Sequence, residues 1–263
     1  MDLGLKGKTA LVCGSSQGIG RAIADALAAE GADLVINGRS AEKLERVQAE
    51  ISRASGAKVV AVPADLNDAG AVADLVNAAV AALGRIDILV TNTGGPPSGP
   101  FENHSAEVWH KAIAQNLESV VNLVRAVLPG MKQRNWGRIV NMTSISVKQP
   151  VAGLILSNTI RAGVTGFSKT MANEAAPFGV TVNTVLPGYT RTERLVELAK
   201  AVAARTGTTV EGAYAGWEKE TPMGRLAEPH ELGSLVAFLC SEKAGYITGQ
   251  SVAVDGGWIK GLF

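Results

Sequence analysis

Short apolar runs recur along the chain, and between them lie longer stretches in which apolar positions return every three or four residues. The runs at 9–12, 32–37, 58–62, 86–90, 138–142, 180–186 and 251–254 read as strands. The intervening stretches read as helices: one opening just after Gly20, one beginning at Ala41, and others at 68–83, 105–131, 158–176 and 228–241. Strands alternating with helices predict right-handed crossovers and a doubly wound parallel sheet of about seven strands with helices on both faces. No break in composition, repeat or low-complexity tract divides the chain, so 1–263 reads as a single α/β Rossmann domain.

Two connections depart from this rhythm. Residues 94–100, Gly-Gly-Pro-Pro-Ser-Gly-Pro, can be neither helix nor central strand. They follow the fourth run, at the carboxyl edge of the sheet where ligands of such folds bind. The second connection, 187–229, is too long for a plain loop. It holds a helix-like piece at 193–204 and a Gly/Thr-rich piece at 207–216, and reads as a lid-like insertion.

Composition narrows the class. The 263 residues are 46% hydrophobic but only 5% aromatic, so the core must be built from Ala, Val, Leu and Ile. A formal net charge of +1 with no basic block argues against nucleic acid as a partner. The two cysteines, Cys13 and Cys240, make no disulfide framework. His104 and His110 lack metal-ligand spacing, so no metal is expected. With no signal peptide visible and no apolar run of membrane-spanning length, a cytoplasmic protein without a membrane partner is expected.

The chemistry starts at residues 13–20, Cys-Gly-Ser-Ser-Gln-Gly-Ile-Gly, between the first strand and the first helix. A glycine turn there aims unpaired backbone N–H groups and the positive end of a helix dipole at an anion. Gly14, Ser16, Gln17, Gly18, Ile19 and Gly20 are therefore candidate ligands of a dinucleotide pyrophosphate. The second strand ends in Asn37-Gly38-Arg39-Ser40, without the acid that would bond a ribose 2′-hydroxyl. Arg39, helped by Ser40, can pair instead with a 2′-phosphate; Ser40 is equally placed to cap the next helix. NADP(H) is the expected cofactor, with NAD(H) possible.

With these motifs the chain resembles the short-chain dehydrogenase/reductase family over nearly its whole length. Gly14, Gly18 and Gly20 match the family's cofactor loop, with Cys13 where Thr is usual. Asp65 and Leu66 match the pair that contacts adenine. Thr91-Asn92-Thr93-Gly94 is similar to the Asn-Asn-Ala-Gly motif with two positions changed, which makes Asn92 and Gly94 cofactor residues. Asn116 sits where the family keeps a helix-breaking catalytic Asn, and Ser144 matches the catalytic Ser. Pro187, Gly188 and Thr192 match the segment over the nicotinamide, and 248–250 and 254–257 match the C-terminal signature. The resemblance implies hydride transfer between nicotinamide and a carbonyl/alcohol substrate, and a homo-oligomer, expected to be a tetramer, with contacts from helix 158–176 and the segment around Trp258.

The departure is at the centre of the chemistry. Where the family carries Tyr-x-x-x-Lys, this chain has Ser157-Asn158-Thr159-Ile160-Arg161. A serine hydroxyl is a far weaker acid than a phenol, and its shorter side chain leaves a void. Arg161 keeps a positive charge but cannot join a proton relay. Three readings follow. In the first, Ser144 and Ser157 polarise the carbonyl, Arg161 stabilises the developing charge and also bonds the cofactor ribose, and a water or Lys148 supplies the proton. In the second, Arg161 grips a substrate carboxylate or phosphate. In the third, the chain binds NADP(H) without turnover, as a sensor or scaffold. A 3-oxoacyl carrier-protein reductase assignment, which overall likeness invites, has the Ser157/Arg161 pair against it. Tyr189 is placed either to face the substrate as a replacement phenol or to pack within the lid.

Overall fold

The computed structural model describes residues 1–262. Seven strands form one parallel sheet: β1 (Thr9–Val12), β2 (Asp33–Gly38), β3 (Val59–Pro63), β4 (Ile88–Thr91), β5 (Gly137–Met142), β6 (Val180–Pro187) and β7 (Ser251–Val254). Their order is β3-β2-β1-β4-β5-β6-β7. The order reverses between β1 and β4, and the crevice outside the carboxyl ends of these strands is where the fold offers a ligand site.

Among the described residues nine α-helices connect them: α1 (Gly18–Ala29), α2 (Ala41–Ser55), α3 (Ala69–Leu83), α4 (Ala106–Ile113), α5 (Ser119–Gln133), α6 (Ile155–Ala175), α7 (Glu193–Thr206), α8 (Val210–Glu220) and α9 (Pro229–Leu239). Alternate residues of each strand point to opposite faces and supply separate cores. Ala10 and Val12 of β1 pack with Leu34, Ile36, Ile88 and Val90 against Ile23, Leu27, Leu44 and Val236 of α1, α2 and α9. Leu11 and Cys13 pack with Val35, Leu89 and Ile139 against α3, α5 and α6 through Leu75, Leu123 and Val164. Burial on both faces is why the strands read as unbroken apolar runs. Both cysteines are free and buried, and burial pushes each thiol up to about 12.

The elements depart from the sequence expectation in three places. The helix expected over 105–131 is two helices joined by a π-helical turn at Ala114–Glu118. Helix α6 begins at Ile155, three residues before the expected 158, which puts Ser157 in its first turn. The Gly/Thr-rich piece is mostly helix α8: the Thr209 side chain accepts from the N–H of Gly212, and Ala213 and Trp217 are buried against α7. Packing overrides the poor propensity of Gly212 and Gly216. No helix among the described residues is long and apolar enough to cross a membrane.

Candidate active site

The glycine turn after β1 is shaped by contacts that admit no side chain. Gly14 and Gly18 have φ of +57° and +58°, the left-handed region. A Cβ on Gly14 would lie 2.6 Å from the Asn92 carbonyl oxygen, and one on Gly20 would collide with the Gly14 carbonyl and lie 2.6 Å from Asn92 Nδ2. Asn92, just past β4, donates from Nδ2 to the Gly14 carbonyl at 3.1 Å and so ties the two strand ends together. Gln17 gives α1 no side-chain cap. The first N–H groups of α1 are thus left for an outside acceptor, and the dipole favours a negative one.

Gly14, Gln17, Gly18, Ile19, Arg39, Asn92 and Gly94 line one cleft of about 440 Å³, together with Ser144, Ser157, Arg161, Pro187, Gly188 and Thr192. The other candidates stand outside it. Gly20 is buried beneath the turn. Ser40 caps α2, accepting from the Lys43 N–H at 3.3 Å. Asp65 accepts from the Asn67 N–H at 3.1 Å, and neither it nor Leu66 nor Ser16 reaches the cleft lining. Asn37 at the end of β2 turns its amide inward to the carbonyls of Val62 and Ala64. That leaves Arg39, exposed and without a salt bridge or hydrogen bond among the described residues, as the one cation of this segment on the cleft.

The inner end of the cleft is made by the segment after β5 and the first two turns of α6. Ser144 follows β5, and its Oγ accepts from the Ser146 N–H at 3.1 Å, which leaves its own O–H free to donate. Ser157 lies in the first turn of α6, 8% exposed, with no hydrogen bond to its hydroxyl among the described residues. Asn158 fixes this turn by donating to the Val151 carbonyl at 3.0 Å. One helical turn on, and so on the same face, stands Arg161, also 8% exposed. Its Nη1 donates to the Met142 carbonyl at 2.8 Å and its Nη2 to Asn116 Oδ1 at 3.4 Å. Burial pushes this guanidinium down to about 10, with the nearby Arg194 charge a smaller push the same way, so it remains positive at neutral pH.

Asn116 is buried behind the cleft at the π-helical turn. Its Nδ2 donates to the Ala112 carbonyl at 3.1 Å, and its Oδ1 also accepts from Thr93 Oγ1 at 3.1 Å. The turn therefore aims one side-chain oxygen at both the loop after β4 and Arg161. Arg194, on α7, carries no motif that marks it in the sequence. It lines the cleft, lies on Gly95, and donates from Nη2 to the Pro96 carbonyl at 2.6 Å across 98 residues of chain.

Val151, Leu154, Tyr189 and Leu198 also line an adjoining cavity of about 640 Å³. One side of it is aromatic, and Arg205 and Glu220 line it too. Tyr189 stacks on Trp217 with centroids 4.8 Å apart and meets Trp258 edge-on at 6.0 Å. Tyr189 packs as the lid reading expected and also faces both cavities, and burial raises its phenol further above the ordinary range. The Trp258 side chain is 7% exposed, packing within its own chain on Ile145 and Leu186. One expectation needs correction: Lys148, offered as a proton source, is exposed and borders a different cleft beside Lys169 and Gln250.

Known proteins share this fold and much of this sequence. A family profile described as Enoyl-(Acyl carrier protein) reductase matches residues 14–259. A D-beta-hydroxybutyrate dehydrogenase of Cupriavidus necator is 39% identical over 257 residues, covering 97% of this chain and 99% of that protein. A 3-oxoacyl-(acyl-carrier-protein) reductase of Aquifex aeolicus is 34% identical, covering 98% and 99%. The L-sorbose reductase of Gluconobacter frateurii, solved with NADPH and L-sorbose, superposes with a TM-score of 0.94 at 33% identity, covering 100% of both chains.

Proposed function

This chain belongs to the short-chain dehydrogenase/reductase family, and on that premise we propose that it is an NADP(H)-dependent oxidoreductase interconverting a carbonyl and an alcohol. The observation that carries the reading is one cleft shared by the bare glycine turn and by Ser144, Ser157 and Arg161.

The chain fits the cofactor. The uncapped start of α1 and the turn that a Cβ would fill match a pyrophosphate held by backbone N–H groups. Arg39, with no acid beside it, suits a 2′-phosphate, and the sorbose reductase at 33% identity was solved with NADPH. When bound, the nicotinamide donates or accepts the hydride. Gly94, Pro187, Gly188 and Thr192 line its end of the cleft.

Ser144 and Ser157 hold the carbonyl oxygen through their hydroxyls, and Arg161 stabilises the negative charge that develops there. Asn116 orients Arg161 through its Oδ1. A serine hydroxyl does not give up its proton near neutrality, so the proton comes from water admitted by the void that a Tyr at 157 would fill. The 187–229 insertion, with α7 and α8, acts as the lid over the substrate cavity. The working unit is a homo-oligomer in the cytoplasm.

The test is NADPH oxidation across a broad carbonyl panel by the natural chain and by Ser157→Tyr/Arg161→Lys. We expect turnover by the natural chain and loss of that activity in the double variant. No turnover by the natural chain, with ordinary ketone reduction gained by the variant, would establish NADP(H) binding without catalysis.

A further inference from the structure

Arg161 and Arg138 are both buried arginines, and they are satisfied differently. Arg138 donates three of its five N–H groups to the carbonyls of Ser241, Gly137 and Gly179, lies 4.4 Å from the Trp136 ring centroid, and does not line this cleft. It is a structural cation covered by its own carbonyls and ring. Arg161 makes two hydrogen bonds, both to neutral acceptors, and one of them is long. A guanidinium has five N–H donors, so three remain unassigned. No carboxylate among the described residues lies within salt-bridge distance, and the only charge that acts on it is another cation, Arg194. A buried, unpaired charge is costly to fold. Its exposed edge faces the cleft.

Three further features make this end of the cleft attractive to an anion. Ser157 precedes Arg161 by one turn, so the short side chain opens a path from the cavity to the guanidinium that a Tyr ring would cover. The 21-residue helix α6 starts at this point with no acidic residue in its first turn and no side-chain cap, which adds the positive end of its dipole. Arg194 stands at the rim, where its charge is shared with Glu197 at 3.1 Å; Glu193 and Glu197 line the outer part of the cleft. The adjoining cavity is walled by Tyr189, Trp217 and Trp258 and has room for an apolar group.

We propose that the substrate is an oxo acid: Arg161 grips its carboxylate, Ser144 and Ser157 hold its keto oxygen, and its organic tail lies along the aromatic wall. This rests on the reading of the cleft as a carbonyl-reducing site and refines it: Arg161 is held by the carboxylate beside the keto carbon, from where its charge still acts on the developing oxyanion, and it is assigned to substrate rather than to the cofactor ribose. A carboxylate is preferred over a phosphate because it offers two coplanar oxygens to the fork and brings an electrophilic carbonyl within reach of both serines.

The experiment is calorimetric titration of the NADP⁺-loaded protein, in which a keto compound binds but cannot be reduced. The probes are benzoylformate, phenylpyruvate and 2-oxohexanoate, each beside its methyl ester. At least one acid should outbind its ester by about tenfold or more, the scale of a charge-assisted hydrogen bond. Arg161→Gln should remove that preference, and Arg161→Lys should keep part of it. Ser157→Tyr, which leaves the charge in place but covers it, should also remove it and guards against misfolding of the first variant. If no acid outbinds its ester, the proposal is overturned. It is equally overturned if Arg161→Gln weakens NADP⁺ binding and leaves the acid-to-ester ratio unchanged, since Arg161 is then a ribose ligand. Failure of NADP⁺ to bind at all overturns the oxidoreductase reading instead, and the same acid and ester titrations on the ligand-free protein still decide the anion question.

Discussion

Two helix N-termini face the same cleft, and they are built in opposite ways. At α1 the turn is glycine, the cap is bare, and what meets the ligand is backbone. At α6 the dipole only assists, and what the cleft meets is two side chains a turn apart, Ser157 and Arg161, with Ser144 and Asn116 beside them. The first kind of site is insensitive to which residues surround it, provided none has a Cβ in the wrong place. The second is redefined by two substitutions while the fold around it stays the same. A TM-score of 0.94 to a sugar reductase therefore speaks to the fold and not to which side chains stand at positions 157 and 161.

The largest effect expected at the side-chain site comes from Ser144→Ala. Removing one donor to a developing oxyanion should lower kcat by about 10²-fold or more and leave the Kd for NADPH unchanged. A loss below tenfold would mean the hydroxyl does not meet the carbonyl oxygen. At the backbone site, Gly20→Ala drives a methyl group into the Gly14 carbonyl and Asn92. Overpacking of this kind costs about 1–3 kcal/mol, and the displaced turn should weaken NADPH binding in parallel. Thermal unfolding and a fluorescence titration read the two losses; an unchanged Tm would show that the turn relaxes.

Arg39→Asp sharpens the contrast from the rim. It should lower NADPH affinity about tenfold or more and raise NADH affinity, reversing the preference. Equal loss for both cofactors would place Arg39 on a phosphate they share. The smallest effect is expected at the cysteines. With both thiols buried and pushed up to about 12, a thiol reagent at pH 8 should find neither in the native protein and both after denaturation. Fast labelling of one in the folded state would show that the core opens there.

The contrast also explains what could be read in advance. The strands were legible to within a residue or two because burial on both faces leaves continuous apolar runs such as 180–186. The glycine turn was legible because a backbone site leaves a spacing rule, and the Ser157/Arg161 pair stood out as a break in a motif. Helix α8 was not, because Gly212 and Gly216 mask a segment held by Trp217 and Ala213. The π-helical turn left only a polar Asn116 in an otherwise helical stretch as its sign. Arg194 could not be found at all. Its partner Pro96 is 98 residues away, and nothing in the local sequence of either links them. Nor does a sequence tell that a cation will be buried without a counter-charge; that is a statement about what is missing from three dimensions.

A turn that grips through its backbone has no dial. Every residue change at Gly14 or Gly20 either clashes or does nothing, so the grip can be broken but not graded. Any tuning of which dinucleotide is accepted must fall to neighbours that reach over the rim, and Asn37, folded inward onto β3, is already excluded from that task. The division gives the protein separable controls. An engineer, or a lineage, can exchange Arg39 to change the currency of reducing power while the glycine turn and the serines at the far end of the cleft keep their coordinates.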